Sequence, residues 1–268
     1  MRRFTKTEGY SLIELLIALA IAGLIGGAIL GVYRVSQDTY IRASSLEAAQ
    51  VGARAGLDRM ANELRLIGSY WIGASGAGNA ITAASPASIT FMANVNDLYM
   101  ANANALEAAA TNNVTGTAVS LSILASDTAN AFKVYVNSAL NDYIYIANGG
   151  TREVKQINSI NSNTLTLVSA TGSTYPVGSL VRDVKMITYA RNTGNNTLTR
   201  TQGGDTADTI VDNVTGLTFT YFDATGGALP ASPPNLGVIR EIRIDFTVQD
   251  AGGGTRYMTT RVKPRSLP

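Results

Sequence analysis

MRRFTKTEGYSLIE, residues 1–14, leads into an uncharged apolar run from Leu15 to Tyr33. A helix over these 19 residues would measure roughly 28 Å, which matches the hydrocarbon thickness of a bilayer. The basic residues precede the run, so they predict a cytoplasmic N-terminus and a translocated C-terminal body. Glu14 stands at the head of the run, where an ionised side chain is costly in lipid and requires a partner.

Composition excludes several kinds of chemistry. The 268 residues include no cysteine and no histidine, so disulfides, thiolate metal sites and His-dependent triads are absent. The formal net charge is +2, and residues 1–9 supply it, with three basic side chains against Glu8. A neutral body argues against nucleic-acid binding through bulk charge. We predict no catalytic residue, no cofactor and no metal site.

Two ordinary explanations of the apolar run fit poorly. A cleaved signal peptide has an apolar region of about 7–15 residues followed by a small-residue cleavage site. This run is longer, and the residues after it are Arg34-Val-Ser-Gln-Asp38. A plain membrane anchor gives no reason for Glu14. A positive charge on a second copy of the same kind of helix would compensate the acid, which indicates a subunit of a helical filament.

The segment Lys6-Thr-Glu-Gly9 followed by Tyr10-Ser-Leu-Ile-Glu14 closely resembles the N-terminus of type IV prepilins. The resemblance implies that a prepilin peptidase cuts after Gly9 and methylates the new N-terminus at Tyr10. It also implies that Glu14 pairs with the terminal amine of an adjacent subunit during assembly. Tyr10 departs from the phenylalanine that usually follows the cut.

Three glycines in the apolar run share one face of the predicted helix, because Gly23, Gly27 and Gly31 recur every four residues. Small residues at this spacing let membrane helices approach closely. Glycine is also simply common in such spans. A third interpretation is that the glycines weaken the helix locally. Pilin helices resembling this one often carry a proline nearby, and this chain has none there, so glycine would take that role.

The helix is predicted to continue through residues 34–67 as an amphipathic segment. Its apolar residues are spaced by three or four and form one stripe: Leu46, Ala49, Ala53, Leu57, Met60, Leu64 and Ile67. Opposite charges four apart, such as Arg59 and Glu63, support the helix, and Gly68 marks its end. We expect the stripe to pack on a sheet rather than form a coiled coil, because Ala and Gly fill much of the seam.

Residues 68–268 are predicted to form a β-rich globular domain, so the fold class is α+β with an antiparallel sheet. Residues 100–131 show little pattern and are interpreted as a long loop. Residues 132–188 are a candidate inserted β-meander, with five strand candidates: Lys133–Asn137, Tyr143–Ala147, Glu153–Ile160, Thr164–Ser169 and Ser179–Thr188.

Ser88–Met92 is a strand candidate before this block, and further candidates follow it. The clearest alternates Ile242, Ile244, Phe246 and Val248 with polar residues, which predicts a half-buried strand. Its partner candidate runs over Arg256–Lys263. Positive charge at Arg256, Arg261, Lys263 and Arg265 is either a DNA-contact patch or, as we favour, a charged edge strand. Four aspartates are interpreted as turn residues rather than calcium ligands: Asp205, Asp208, Asp212 and Asp223.

Residues 48–67 resemble the corresponding segment of PilW-like minor pilins and, less closely, the large minor pseudopilin of type II secretion. The resemblance implies a minor pilin that primes pilus assembly with other minor and major pilins. It implies a subunit held in the inner membrane by residues 10–33, with a periplasmic C-terminal domain, before it joins an assembly platform and the pilus. The alternatives are a type II secretion pseudopilin, an adhesin or DNA-binding module, and an anchored protein that never polymerises.

Overall fold

The computed structural model describes residues 11–71, 80–95, 107–110, 112–123, 142–250 and 252–267. Within these ranges the chain forms one long helix and thirteen strands. The leader with Gly9, the residue Tyr10 and the predicted strand Lys133–Asn137 lie outside the described residues. One α-helix set against antiparallel sheets confirms the predicted α+β class.

Helix α1 is a single element of 54 residues, Leu12–Arg65, and therefore extends about 81 Å. It begins at the N-cap Ser11 and contains no proline, which is the residue that most often breaks a helix. It ends two residues before the predicted boundary, and Gly68 follows with φ of 76°, a left-handed conformation that glycine adopts without strain.

The strands are all paired antiparallel. Their bounds are β1 Ile81–Ala84, β2 Ser88–Ala93, β3 Glu107–Ala109, β4 Ser120–Ser122, β5 Tyr143–Asn148, β6 Thr151–Asn161, β7 Thr164–Leu167, β8 Leu180–Asn192, β9 Thr197–Gln202, β10 Asp208–Val211, β11 Val214–Phe222, β12 Glu241–Gln249 and β13 Thr255–Val262. A short 3-10 turn, Leu236–Val238, precedes β12. Strands β11, β12 and β13 form a small sheet, and the others form a larger one.

The long strand β8 organises the larger sheet, because it pairs with β2, β3, β5 and β9 along its 13 residues. Strands β5, β6 and β7 are consecutive neighbours, and the chain then returns so that β8 lies beside β5. The segment predicted as a long loop contains β3 and β4 within its described residues. These strands have three residues each, which is too short for a periodic signal in the sequence.

Two hydrophobic clusters form the interior of the described chain. The larger joins the helix stripe to the three-stranded sheet and to β2, β8 and β9. The alternation predicted for β12 is confirmed, since Ile242, Ile244, Phe246 and Val248 are all fully buried. The smaller cluster lies within residues 110–181 and includes Val114, Leu121, Ile146, Leu165 and Tyr175. That residues 132–188 form an inserted unit stays a prediction.

Candidate assembly helix and its junction with the domain

The first half of α1 presents its apolar side chains to the outside of the chain. All large apolar side chains from Leu12 to Val35 have at least half of their surface accessible. An 18-residue window there has a mean hydropathy of 2.6, and none of it is buried within the chain. Apolar surface on this scale marks contact with lipid or with other protein.

Glu14 lies in the first turn of α1 and closes a capping box with Ser11. The Ser11 backbone N–H donates to Glu14 Oε2 at 3.0 Å, and the Ile13 N–H donates to Ser11 Oγ at 3.4 Å. A carboxylate at this end of a helix is favoured, because the first-turn N–H groups carry partial positive charge. Glu14 is therefore exposed and positioned by its own helix at the end nearest the predicted cut.

The three predicted glycines lie on open helix surface. A Cβ built at Gly23, Gly27 or Gly31 would meet no atom within 4 Å. No contact within the described chain thus requires glycine at these positions. Gly56 in the second half differs, because a Cβ there would lie 2.2 Å from Cγ2 of Val211 at the end of β10. The helix approaches the domain closely enough at Gly56 to exclude any side chain.

The second half of α1 packs on the domain as predicted. The stripe residues Ala53, Leu57, Met60, Leu64 and Ile67 are all buried. Leu46 and Ala49 are only partly covered, so full burial starts near Ala53. The change from exposed to covered surface therefore occurs within one continuous helix.

A buried acid joins this half of the helix to the larger sheet. Glu63 is 0% exposed, and its Oε2 accepts from Arg200 Nε at 2.8 Å and from the Tyr189 hydroxyl at 2.9 Å. Arg59, predicted as its surface partner, lies at 3.4 Å and keeps 41% of its side chain exposed. The main partner of Glu63 is thus Arg200 on β9.

Burial, followed by the charge of Glu63, raises the pKa of the Tyr189 hydroxyl far above its usual value, so Tyr189 stays a donor at physiological pH. Two charge-assisted hydrogen bonds from fixed strands hold the Glu63 carboxylate in one place. Because Glu63 lies within one turn of Met60 and Leu64, these bonds fix the rotation of the helix on the sheet.

The helix pattern predicts Glu63 as a surface charge paired with Arg59, and no feature of the sequence points to Arg200. The spacing does indicate that Glu63 faces the domain, because it is three residues after Met60 and four before Ile67, both in the apolar stripe. The partner is separated by 137 residues, and nothing local in the sequence links the two.

Two of the four C-terminal positive charges contact an acidic side chain in the structure. Arg261 and Lys263 contact Glu241 at 2.8 and 3.3 Å. Although partial burial opposes the shift, hydrogen bonds from these two residues lower the pKa of the Glu241 carboxyl below its usual value. Strand β13 pairs with β12 alone among the described strands, so it is a charged edge strand.

The aspartates considered for calcium fall in different places. Asp223 accepts from the N–H groups of Thr225 and Gly227 at 2.8 Å, so it caps a turn as predicted. Asp208 begins β10, because pairing with β9 extends the strand into what the sequence suggested was a turn. Within the described ranges, no group of three or more acidic side chains converges as a metal site would require.

The N-terminal segment matches a known sequence motif. The prokaryotic N-terminal methylation motif matches residues 5–30, which span the predicted cleavage point, Glu14 and the first three glycines of the helix. No curated protein matches the chain. The motif indicates a structural protein that a prepilin peptidase processes, and the apolar helix is consistent with membrane anchoring. Together they indicate a type IV pilin-like protein, of either a pilus or a pseudopilus.

Proposed function

We propose that this chain is a minor pilin of a type IV pilus, of the PilW-like kind, and that it helps to prime pilus assembly. The observation that carries the proposal is the division of α1. One half presents a membrane-length apolar surface with no partner in the described chain, and the other half is fixed to a large β-domain. Lipid can cover the exposed half in the membrane, and helices of the same kind from neighbouring subunits would cover it in a filament.

The proposed sequence of events begins in the inner membrane. The peptidase cuts after Gly9 and methylates Tyr10, which brings a positive terminal amine within one turn of Glu14. The helix then waits in the bilayer with the β-domain in the periplasm. During assembly the Glu14 carboxylate pairs with the terminal amine of a neighbouring pilin, which compensates the cost of a charge away from water.

The glycine face supports the same proposal. Gly23, Gly27 and Gly31 leave a flat strip on the exposed half of the helix, and no contact in the described chain explains it. Helices that meet along small residues can pack closely without a hydrophobic driving force from water. We assign this strip to contacts with other minor and major pilins and with the membrane assembly platform.

A pseudopilin of a type II secretion system is the second candidate, because the same motif and helix serve both machines. An adhesin or DNA-binding role for the displayed domain is less supported. Arg261 and Lys263 share the Glu241 carboxylate, and the chain outside residues 1–9 carries no net charge, so we expect no nucleic-acid partner.

Deletion of the gene and recovery of the tagged chain from sheared surface filaments test the proposal. We expect few pili in the deletion strain and the mature chain, starting at Tyr10, in the sheared fraction. Gly9→Ala should keep the leader attached, as intact mass would show, and should not restore piliation. Normal piliation with defective protein secretion would support the pseudopilin instead, and normal behaviour of both would contradict any role in assembly.

A further inference from the structure

Three ionisable side chains lie sealed in the larger sheet, apart from the helix junction. Lys185 is 1% exposed, and Asp142 and Asp183 are 0% exposed. Nζ of Lys185 is in hydrogen-bond contact with Oδ2 of Asp142 and lies 3.3 Å from Oδ1 of Asp183. A lysine is rarely buried unless it is paired, and here one ammonium is enclosed together with two carboxylates.

Strand register holds these groups together. Tyr143 of β5 pairs with Val184 of β8, so Asp142, the residue before β5, stands next to Lys185. Asp183 lies two residues before Lys185 on the same strand, and residues at that spacing project from the same face. On its other side Lys185 pairs with Ala93 of β2. The backbone of three adjoining strands, rather than a flexible loop, therefore sets the contact.

The strands on either side of β8 enclose the three groups. Ala93 and Ile144, which pair with Lys185 and Asp183 across the strands, are each 0% exposed, and charges enclosed in this way each carry a desolvation penalty. A proton that passes from the Lys185 ammonium to the Asp142 carboxylate leaves an amine and a carboxylic acid, which avoid that penalty. An amine held in contact with a carboxylic acid, with water excluded, has the reactants of an amide already oriented.

We propose that Lys185 and Asp142 join in an intramolecular isopeptide bond, with Asp183 as the residue that moves the proton. The neutral Nζ attacks Cγ of Asp142, and the carbonyl electron pair moves to oxygen. Asp183 accepts a proton from the attacking nitrogen and delivers it to the departing hydroxyl. The carbon–oxygen bond breaks and one water leaves, so amine and acid give amide and water with no other reactant.

The bond would close a segment between two residues that are 43 apart in sequence. It would tie the start of β5 to the middle of β8, the strand that pairs with four others. The chain has no cysteine and so cannot use a disulfide for this purpose. A cross-link reduces the conformational freedom of the unfolded chain in the same way, and it is indifferent to reductants.

Intact mass and peptide mapping of the full-length chain, purified from membranes in detergent and then denatured, test the proposal. We expect a mass lower than that of the processed sequence by one water, and a branched peptide joined through Lys185 and Asp142 after proteolysis. An unchanged mass, with Lys185 and Asp142 recovered in separate linear peptides, would overturn the proposal without bearing on the role in pili.

Variants assign the roles. Lys185→Arg and Asp142→Ala should each remove the branched peptide, and Asp142→Asn should restore it with loss of ammonia in place of water. Asp183→Asn should leave the precursor mass, whereas a normal amount of branched peptide would exclude Asp183 from the reaction. Lys155→Arg is the matched control, because Lys155 contacts Glu153 at 2.9 Å but is partly exposed to solvent, and it should leave the cross-link intact.

Discussion

The two halves of α1 have opposite surroundings although one unbroken helix carries both. Each half contains a key glutamate and a key glycine, namely Glu14 and Gly27 in the first, Glu63 and Gly56 in the second. Glu14 is exposed and Gly27 meets no atom, whereas Glu63 is sealed and Gly56 touches Val211. The second pair thus holds the subunit together, and we propose that the first pair serves contacts with neighbouring subunits.

Loss of the Glu63 partner should give the largest effect on folding. Arg200→Ala leaves a carboxylate buried without its main counter-charge, which we expect to cost about 3–5 kcal/mol of unfolding free energy. Urea unfolding of the full chain in detergent, followed by the fluorescence of Trp71, the single tryptophan, measures it. Arg59→Ala is the matched control and should cost less than about 1 kcal/mol, because Arg59 is solvent-exposed. Equal losses in the two variants would refute the assignment of Arg200 as the main partner.

Substitution of Gly56 or Gly27 should change stability less than Arg200→Ala does. The two substitutions should also distinguish an effect on folding from an effect on assembly. Gly56→Ala forces a methyl group against Val211 and should destabilise the chain by roughly 1–3 kcal/mol. Gly27→Ala meets nothing in the chain and should leave the unfolding of the domain unchanged. If the first half packs on neighbouring subunits, Gly27→Ala should nevertheless lower recovery in sheared filaments. Equal free energies of unfolding for Gly56→Ala and Gly27→Ala would contradict the assignment of different surroundings to the two glycines.

Alkaline pH should lower the free energy of unfolding of the β-domain, because several of its tyrosines are buried. Burial, and then the nearby Tyr145, raises the pKa of Tyr70 to about 12 from 10.0. Because the folded value exceeds the unfolded one, the contribution is complete below pH 10 and is lost as pH rises towards 12. The Tyr70 contribution should be up to about 3 kcal/mol, because each pKa unit corresponds to about 1.4 kcal/mol.

Urea unfolding at about pH 9 and about pH 11 checks this pH window. Tyr70→Phe should reduce the difference between the two conditions without abolishing it. Burial also raises the pKa of Tyr175, Tyr189 and Tyr221, so these residues contribute in the same direction. An identical pH dependence in Tyr70→Phe would show that this hydroxyl is not sealed as described.

Much of the helix was predictable because its determinants are local. The predicted extent of the helix is correct to within two residues. The prediction rests on the uncharged run from Leu15 to Tyr33, on the apolar spacing of Leu57, Met60 and Leu64, and on Gly68. The β12 strand was equally clear, since alternation over eight residues is a strong period-two signal. Glu14 and the residues around it were found from a motif that is likewise contiguous.

Contacts between distant residues could not be predicted. Glu63 meets Arg200, and Lys185 meets Asp142, only because strands separated in sequence are paired in space. Asp208 lies in a strand because it pairs with β9, although the residues next to it in sequence favour a turn. The pairing of β8 with β5 likewise depends on the arrangement of the whole sheet, and no single segment of the sequence predicts it.

The most direct test of the division of α1 is the fraction of Glu14→Gln chain recovered in sheared surface filaments. Glutamine keeps the capping box with Ser11 and removes only the charge, so membrane insertion, leader removal and urea unfolding should match those of the unaltered chain. The account predicts that recovery in filaments falls sharply while the amount in membranes stays normal. Recovery of Glu14→Gln at the level of the unaltered chain would contradict it.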